Sequence, residues 1–245
     1  MEPSPQSIAG AGMNIINEAE AVLSQALSIE LRAGEVVYIL HPGQILSFQG
    51  ASAQREDQLM DIAGIYRKRK FIQSRISGPV KFMIGLPTGF SMQTIPITAG
   101  SDLLFEWKHV MFYTAGMKVD RRVQTFKNAV ITRELVKMKF TAEDGLLGVI
   151  SHGPLYRMEL DPVRPTYVDV SCLVAYPENA QLKPVVYGNT LASQHMNYHW
   201  EITGKGYVLL QTSKSDGQLE RDLDGGGFIK RILREVIPFG GVFIK

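Results

Sequence analysis

One pattern is written three times along this chain. Residues 38–48 read YILHPGQILSF, residues 103–113 read LLFEWKHVMFY, and residues 166–176 read TYVDVSCLVAY. The starts at 38, 103 and 166 are 65 and 63 residues apart, and a fixed step of this size is the mark of internal duplication. In each copy an extended, aromatic-rich run leads into a short apolar burst closed by a ring: Phe48, Tyr113 or Tyr176. A second element follows each time. Gly78-Pro79 opens the apolar run 80–84, Gly145 opens 146–150, and Gly204-Lys205-Gly206 opens 207–211. Glycine suits such a place because it has no Cβ to clash where the chain bends or two backbones approach.

The repeats therefore fall at 28–97, 98–162 and 163–214. Each reads as a ring-ended strand pair, a variable loop, a charged strand and the glycine-opened strand. His41-Pro42-Gly43 reads as a hairpin-like break, 51–61 as a long surface loop, and 65–76 as the charged strand. Short strands at this density predict an all-β barrel or sandwich. One repeat of about 65 residues buries little core alone, so three packed around a pseudo-threefold axis form the expected single compact, three-lobed unit. Short peripheral helices complete the expectation at the termini. Residues 1–27 comprise a poorly ordered arm (1–12) and a short helix over 14–27, with a strand around Ile15 as the alternative. Residues 215–245 form a glycine-rich joint and an amphipathic segment.

Bulk properties exclude several classes. The formal charge of +2 makes no global case for nucleic acid. Cys172 is the only cysteine, so no intramolecular disulfide forms, which fits a reducing compartment. No run approaches the ~18 apolar residues of a spanning helix, and the N-terminus lacks a basic targeting region. The expected location is the cytoplasm, or an organelle interior in a eukaryote.

The threefold recurrence and 203–211, TGKGYVLLQ, resemble the mitochondrial biogenesis or altered-inheritance-of-mitochondria family, whose signature is TGPGTVLLQ-like; Lys205 and Tyr207 are the departures. Leu173-Val174-Ala175-Tyr176 matches the family's recurring strand end. The similarity covers 28–212, and the first copy departs from it in lacking a second glycine at Gly78-Pro79-Val80. The resemblance implies tandem copies of a fold like the β-barrel of the tryptophan RNA-binding attenuation protein. It also implies a non-catalytic, oligomer-forming protein, linked in eukaryotic members to mitochondrial inner-membrane organisation. It carries over no catalytic residues.

The residues themselves supply no catalytic constellation. His195 and His199 are spaced i, i+4, as metal ligands on a helix are, but no acid lies between them and no H-x-H occurs, so a polar loop pair is favoured over a metal site. Cys172 lies in an apolar run and reads as an inert thiol. Gly225-Gly226-Gly227 lacks the GK[ST] ending of a phosphate loop and reads as a linker. Glu106 and Asp169 occupy equivalent positions in two repeats, with Leu40 or His41 in the first, and read as outward-facing strand residues rather than an acid–base pair.

Two surface features remain. Arg67, Lys68, Arg69 and Lys70 form a basic tract that reads either as an anion-binding site, for RNA or anionic phospholipid, or as an edge strand guarded by charge, the favoured reading. Phe228, Ile229, Ile232, Leu233 and Val236 share a helical face beside Lys230, Arg231 and Arg234. At ~1.5–3 kcal/mol each when buried, these five side chains call for a cover. The protein's own core or a second subunit is favoured over a membrane. The expected function is a non-enzymatic structural protein that oligomerises and supports a membrane-associated or cellular assembly, with no cofactor. A nucleic-acid-binding module and a small-ligand or metal-binding barrel are the alternatives.

Overall fold

The computed structural model describes residues 7–10, 13–18, 26–60, 71–86, 89–123, 136–186 and 198–214. Among them every extended element is a strand, and helix is confined to single 3-10 turns. Residues 7–97 hold β1 (Ser7–Gly10), β2 (Met13–Glu18), β3 (Ala26–Leu31), β4 (Val36–Ile39), β5 (Ile45–Gln49), β6 (Arg55–Met60), β7 (Phe71–Ser77), β8 (Val80–Gly85) and β9 (Phe90–Ile97). Residues 98–162 hold β10 (Leu103–Glu106), β11 (Val110–Thr114), β12 (Lys118–Val123), β13 (Val136–Thr141), β14 (Gly145–His152) and β15 (Leu155–Glu159). Residues 163–214 hold β16 (Thr166–Asp169), β17 (Leu173–Pro177), β18 (Gln181–Val186), β19 (Tyr198–Thr203) and β20 (Tyr207–Gln211).

The chain divides into two compact units. The first is Met1–Ser101, Trp107–Lys118 and Phe140–Ser151. It holds a five-stranded sheet, β1-β2-β3-β8-β5, and a six-stranded one, β6-β7-β4-β11-β14-β9. Between these sheets lies a core built on Ile29, Val37, Ile39, Ile76, Phe82, Ile84 and Phe112, all essentially without solvent contact. The second unit is Asp102–Glu106, Val119–Lys139 and His152–Lys245. Its sheets are β12-β13-β10-β17-β20-β15 and β16-β19-β18, closed over Leu160, Val168, Leu173, Trp200, Ile202 and Val208.

The thrice-written stretch proves to be a corner rather than a hairpin. β4 lies in the six-stranded sheet and β5 in the five-stranded one, joined through a 3-10 turn at Pro42–Gln44. Matching turns stand at Trp107–His109 before β11 and at Val170–Cys172 before β17. Sheet pairing prevails over local hairpin closure: the Leu40 amide bonds Met111 at 2.8 Å, and β5 pairs with β8. Each post-turn strand then pairs with its glycine-opened strand through a register shift, between Ile45 and Ser47, Val110 and Phe112, and Leu173 and Ala175. The shift inserts one residue and bends the strand, which lets a short segment leave one sheet and join another.

Three other expectations are corrected. The N-terminal helix is strand β2, in register with β3 from Asn14↔Glu30 to Glu18↔Ala26; β-branched Ile15 and Ile16 favour the extended form once a partner strand is present. Ser7–Gly10, read as a loose arm, is β1, paired with β2. The supposed loop at 51–61 holds a 3-10 turn, Ser52–Gln54, and edge strand β6. Arg55, Asp57 and Leu59 alternate opposite Ile76, Ser74 and Ile72 of β7, so the period-two pattern outweighs the segment's polarity.

Glycine serves these strands in different ways. A side chain at Gly78 would strike the Arg32 carbonyl, and the Gly78-Pro79 peptide is cis, whereas Gly206 opens β20 with φ +100°. The entries to β8 and β20 therefore differ.

Candidate functional site

A group of ionisable side chains lies on β10, β13 and β17 of the second unit. Glu106 of β10 faces Lys137 of β13, and Leu104 faces both Lys139 and Tyr176. Alternation along a strand puts Leu104 and Glu106 on one face, so Glu106, Lys137, Lys139 and Tyr176 share it. Lys137 Nζ donates to Glu106 Oε1, with side-chain exposures of 1% and 5%. The ammonium also stands 5.9 Å over the Tyr176 ring. Burial, and then the negative charge of Glu106, pushes the Tyr176 phenol up to about 12.

Glu106 is therefore not the outward-facing residue the alternation suggested. β10 is covered on both faces: Phe105, on the opposite side, is as buried as Leu104 and Glu106. A strand covered twice has no solvent face, and a carboxylate there requires a cation. Lys137 is that cation, and it is the residue sequence reasoning missed. Its register opposite Glu106 depends on strand pairing across 31 residues, and nothing in VKMKFT distinguishes Lys137 as a buried partner from Lys139.

Further along this face the ion pairs reach water. Glu178, two residues beyond Tyr176, accepts from Lys139 at 2.7 Å and from Arg122 at 2.5 Å. Lys139 first and Arg122 second hold its carboxyl below the ordinary range.

A second group surrounds the turn at Val170–Cys172. Asp169 caps it, Oδ1 accepting from the Ser171 amide at 2.9 Å and hydroxyl at 2.7 Å, while Oδ2 accepts from Lys214. Burial works to raise the Asp169 pKa and is the largest single influence, but Lys214 and Ser171 together outweigh it and the net shift is downward. So Asp169, half-buried, also departs from the outward-facing expectation. Cys172 beside it is half-buried, and burial followed by the Asp169 charge pushes its thiol up. A thiolate is the reactive form, so this environment suits an inert thiol.

A third residue stands in the same place relative to a 3-10 turn. Glu106 and Asp169 each immediately precede their turn, and so does His41. His41 meets Trp107 edge-on, centroids 5.8 Å apart at 66°. Burial lowers its pKa, partly offset by a hydrogen bond to the Trp107 backbone.

Of the other sequence-derived candidates, His199 lies in β19 opposite Asp169, not on a helix face, and His195 lies outside the described residues. Arg67, Lys68, Arg69 and Lys70 lie outside them too, as do Gly225–Gly227 and Phe228, Ile229, Ile232, Leu233 and Val236. Among the described residues no group of three or more His, Cys, Asp or Glu side chains is placed to hold a metal. No helix there is long and apolar enough to cross a membrane.

The profile of the family described as Mitochondrial biogenesis AIM24 matches residues 18–213. The chain belongs to this family. Its fold is similar to the crystal structure of protein SPYM3_0169 from Streptococcus pyogenes, with a TM-score of 0.59 at 15% identity. That similarity covers 90% of this chain and 100% of the bacterial one. At such identity the likeness speaks for the fold alone. No curated protein matches the chain. The AIM24 match spans the three 3-10 corners, the strands β8, β14 and β20, and the Glu106–Lys137 pair; it includes Asp169 and stops short of its partner Lys214.

Proposed function

We propose that this AIM24-family protein is a non-enzymatic structural component of the cytoplasm, which oligomerises and supports a membrane-associated or cellular assembly. One observation carries the reading: Glu106, Glu178 and Asp169 each meet a lysine or arginine. Glu106 is bonded by Lys137, Glu178 by Lys139 and Arg122, and Asp169 by Lys214. Carboxylates paired with cations from neighbouring segments tie those segments together. A general acid or base needs instead a pKa set near the working pH.

The finer architecture proposed is a triplicate of one module like that of the tryptophan RNA-binding attenuation protein, arranged about a pseudo-threefold axis. In its support, the first strand of one copy pairs with the post-turn strand of the next, β4 with β11 and β10 with β17. β5 and β16, the remaining strands of this kind, are each an edge of their sheets.

The subunit contact proposed is the apolar face of Phe228, Ile229, Ile232, Leu233 and Val236. Cross-linking a mixture of 14N- and 15N-labelled chains tests it. Mixed-isotope cross-links through Lys230 are expected; cross-links confined to single chains would reject the contact. The nucleic-acid alternative rests on Arg67–Lys70 and is tested by filter binding. RNA retention falling steeply with salt would favour it over the assembly reading.

A further inference from the structure

Buried donors in folded proteins are almost always met by acceptors. Trp200 stands out against that rule. It is 1% exposed, and among the described residues its indole Nε1 has no hydrogen-bond partner. The neighbours in its core cluster are Leu160, Val168, Leu173, Ile202 and Val208, hydrocarbon side chains that cannot accept. Across the strands Trp200 faces Val168 of β16 and Pro184 of β18, which offer no side-chain oxygen either. Tyr176 brings a phenol to the margin of the same cluster, and Lys137 and Glu106 stand beyond it. This cluster of the second unit is thus apolar apart from one indole donor, with a polar group at its margin.

We infer that an oxygen acceptor from outside the chain, either a trapped water molecule or an oxygen of a small polar ligand, binds Trp200 Nε1 between the three-stranded and six-stranded sheets. Both sources present the same chemistry, a lone pair directed at the indole N–H. A buried water needs two or more polar partners, and Tyr176, packed against this cluster, carries a hydroxyl able to serve as a second. The inference is independent of the assembly role, since a structural protein and a ligand carrier would meet the donor alike.

The wild-type chain has two tryptophans, Trp107 and Trp200, so its 15N indole spectrum holds two signals, and Trp107→Phe serves only to assign them. The expected Trp200 Nε1–H resonance is displaced downfield as in a bonded indole. With water as the acceptor it shows a cross-peak to a long-lived solvent proton. With a ligand it lacks that cross-peak, moves after unfolding, washing and refolding, and a small molecule is released into the wash. A resonance at the unbonded indole position, unmoved by refolding, overturns the inference. Replacing Trp200 with its isostere β-(3-benzothienyl)alanine removes the N–H and keeps the shape. Loss of one satisfied bond predicts a Tm lower by about 2–4 °C. An unchanged or higher Tm overturns the inference, because deleting an orphan donor relieves the protein.

Discussion

Phe112 of β11 stands directly opposite Gly148 of β14, and a Cβ on that glycine would run into the phenyl ring. The equivalent pairs are Ser47 with Met83 and Ala175 with Leu209. Where the post-turn strand carries the large residue its partner is glycine, and where it carries a small one the partner is large. Bulk is exchanged across the strand pair while the bulged register is kept. Gly148→Leu alone therefore overpacks the first unit, destabilising it by about 1–3 kcal/mol or more. Combined with Phe112→Ala, which recreates the third copy's arrangement, it should recover most of that loss. Urea melts of the two single variants and the double variant check the coupling, and simple additivity would contradict it.

The Lys137–Glu106 pair makes a prediction of opposite character. Lys137→Met leaves a buried carboxylate without its cation, and Glu106→Leu leaves a buried ammonium. Each should destabilise by about 3–5 kcal/mol. The double variant, apolar on both sides, should lie within about 1 kcal/mol of wild type or above it, since hydrophobic replacement of a buried pair is often neutral or stabilising. Denaturant midpoints of all four proteins decide.

His41 gives the fold a pH dependence. Burial lowers its folded pKa below the ordinary 6.5, so below 6.5 the unfolded chain binds a proton that the folded chain resists. Its contribution is complete above about pH 6.5 and is lost as pH falls toward the folded pKa. His41→Phe, which keeps an aromatic ring against Trp107, should flatten the fall in stability as pH drops below about 6.5. Equal slopes for variant and wild type in urea titrations would contradict this.

Asp169 and Cys172 are coupled through the corner they share. With its pKa raised by burial and the neighbouring carboxylate, Cys172 should react with a thiol reagent at pH 8 more slowly than the unfolded chain does. Asp169→Asn removes the neighbouring negative charge and should speed the reaction. A native rate equal to the unfolded one would contradict the assignment.

Some of this was legible in the residues. The threefold stretch, the post-turn strands and the glycine-opened strands are all visible as local patterns, and the all-β class follows from them. What misled was distance. His41-Pro42-Gly43 looks like a hairpin because nothing local reveals that β4 and β5 join different sheets. The segment 51–61 looks like a loop because its partner β7 lies beyond residue 70. Glu106 looks exposed because alternation assumes one dry face, and β10 has two. Lys137 gave no sign at all, since its role exists only in register with Glu106. Asn14–Glu18 fits either period, and only pairing with β3 makes it a strand.

The claim that this chain works as a self-associating structural element is most directly tested by its mass in solution. Light scattering on the purified full-length chain from 1 to 100 µM, a range spanning roughly typical affinities, should give a stable multiple of 27.3 kDa. A mass of 27.3 kDa at every concentration would contradict the account.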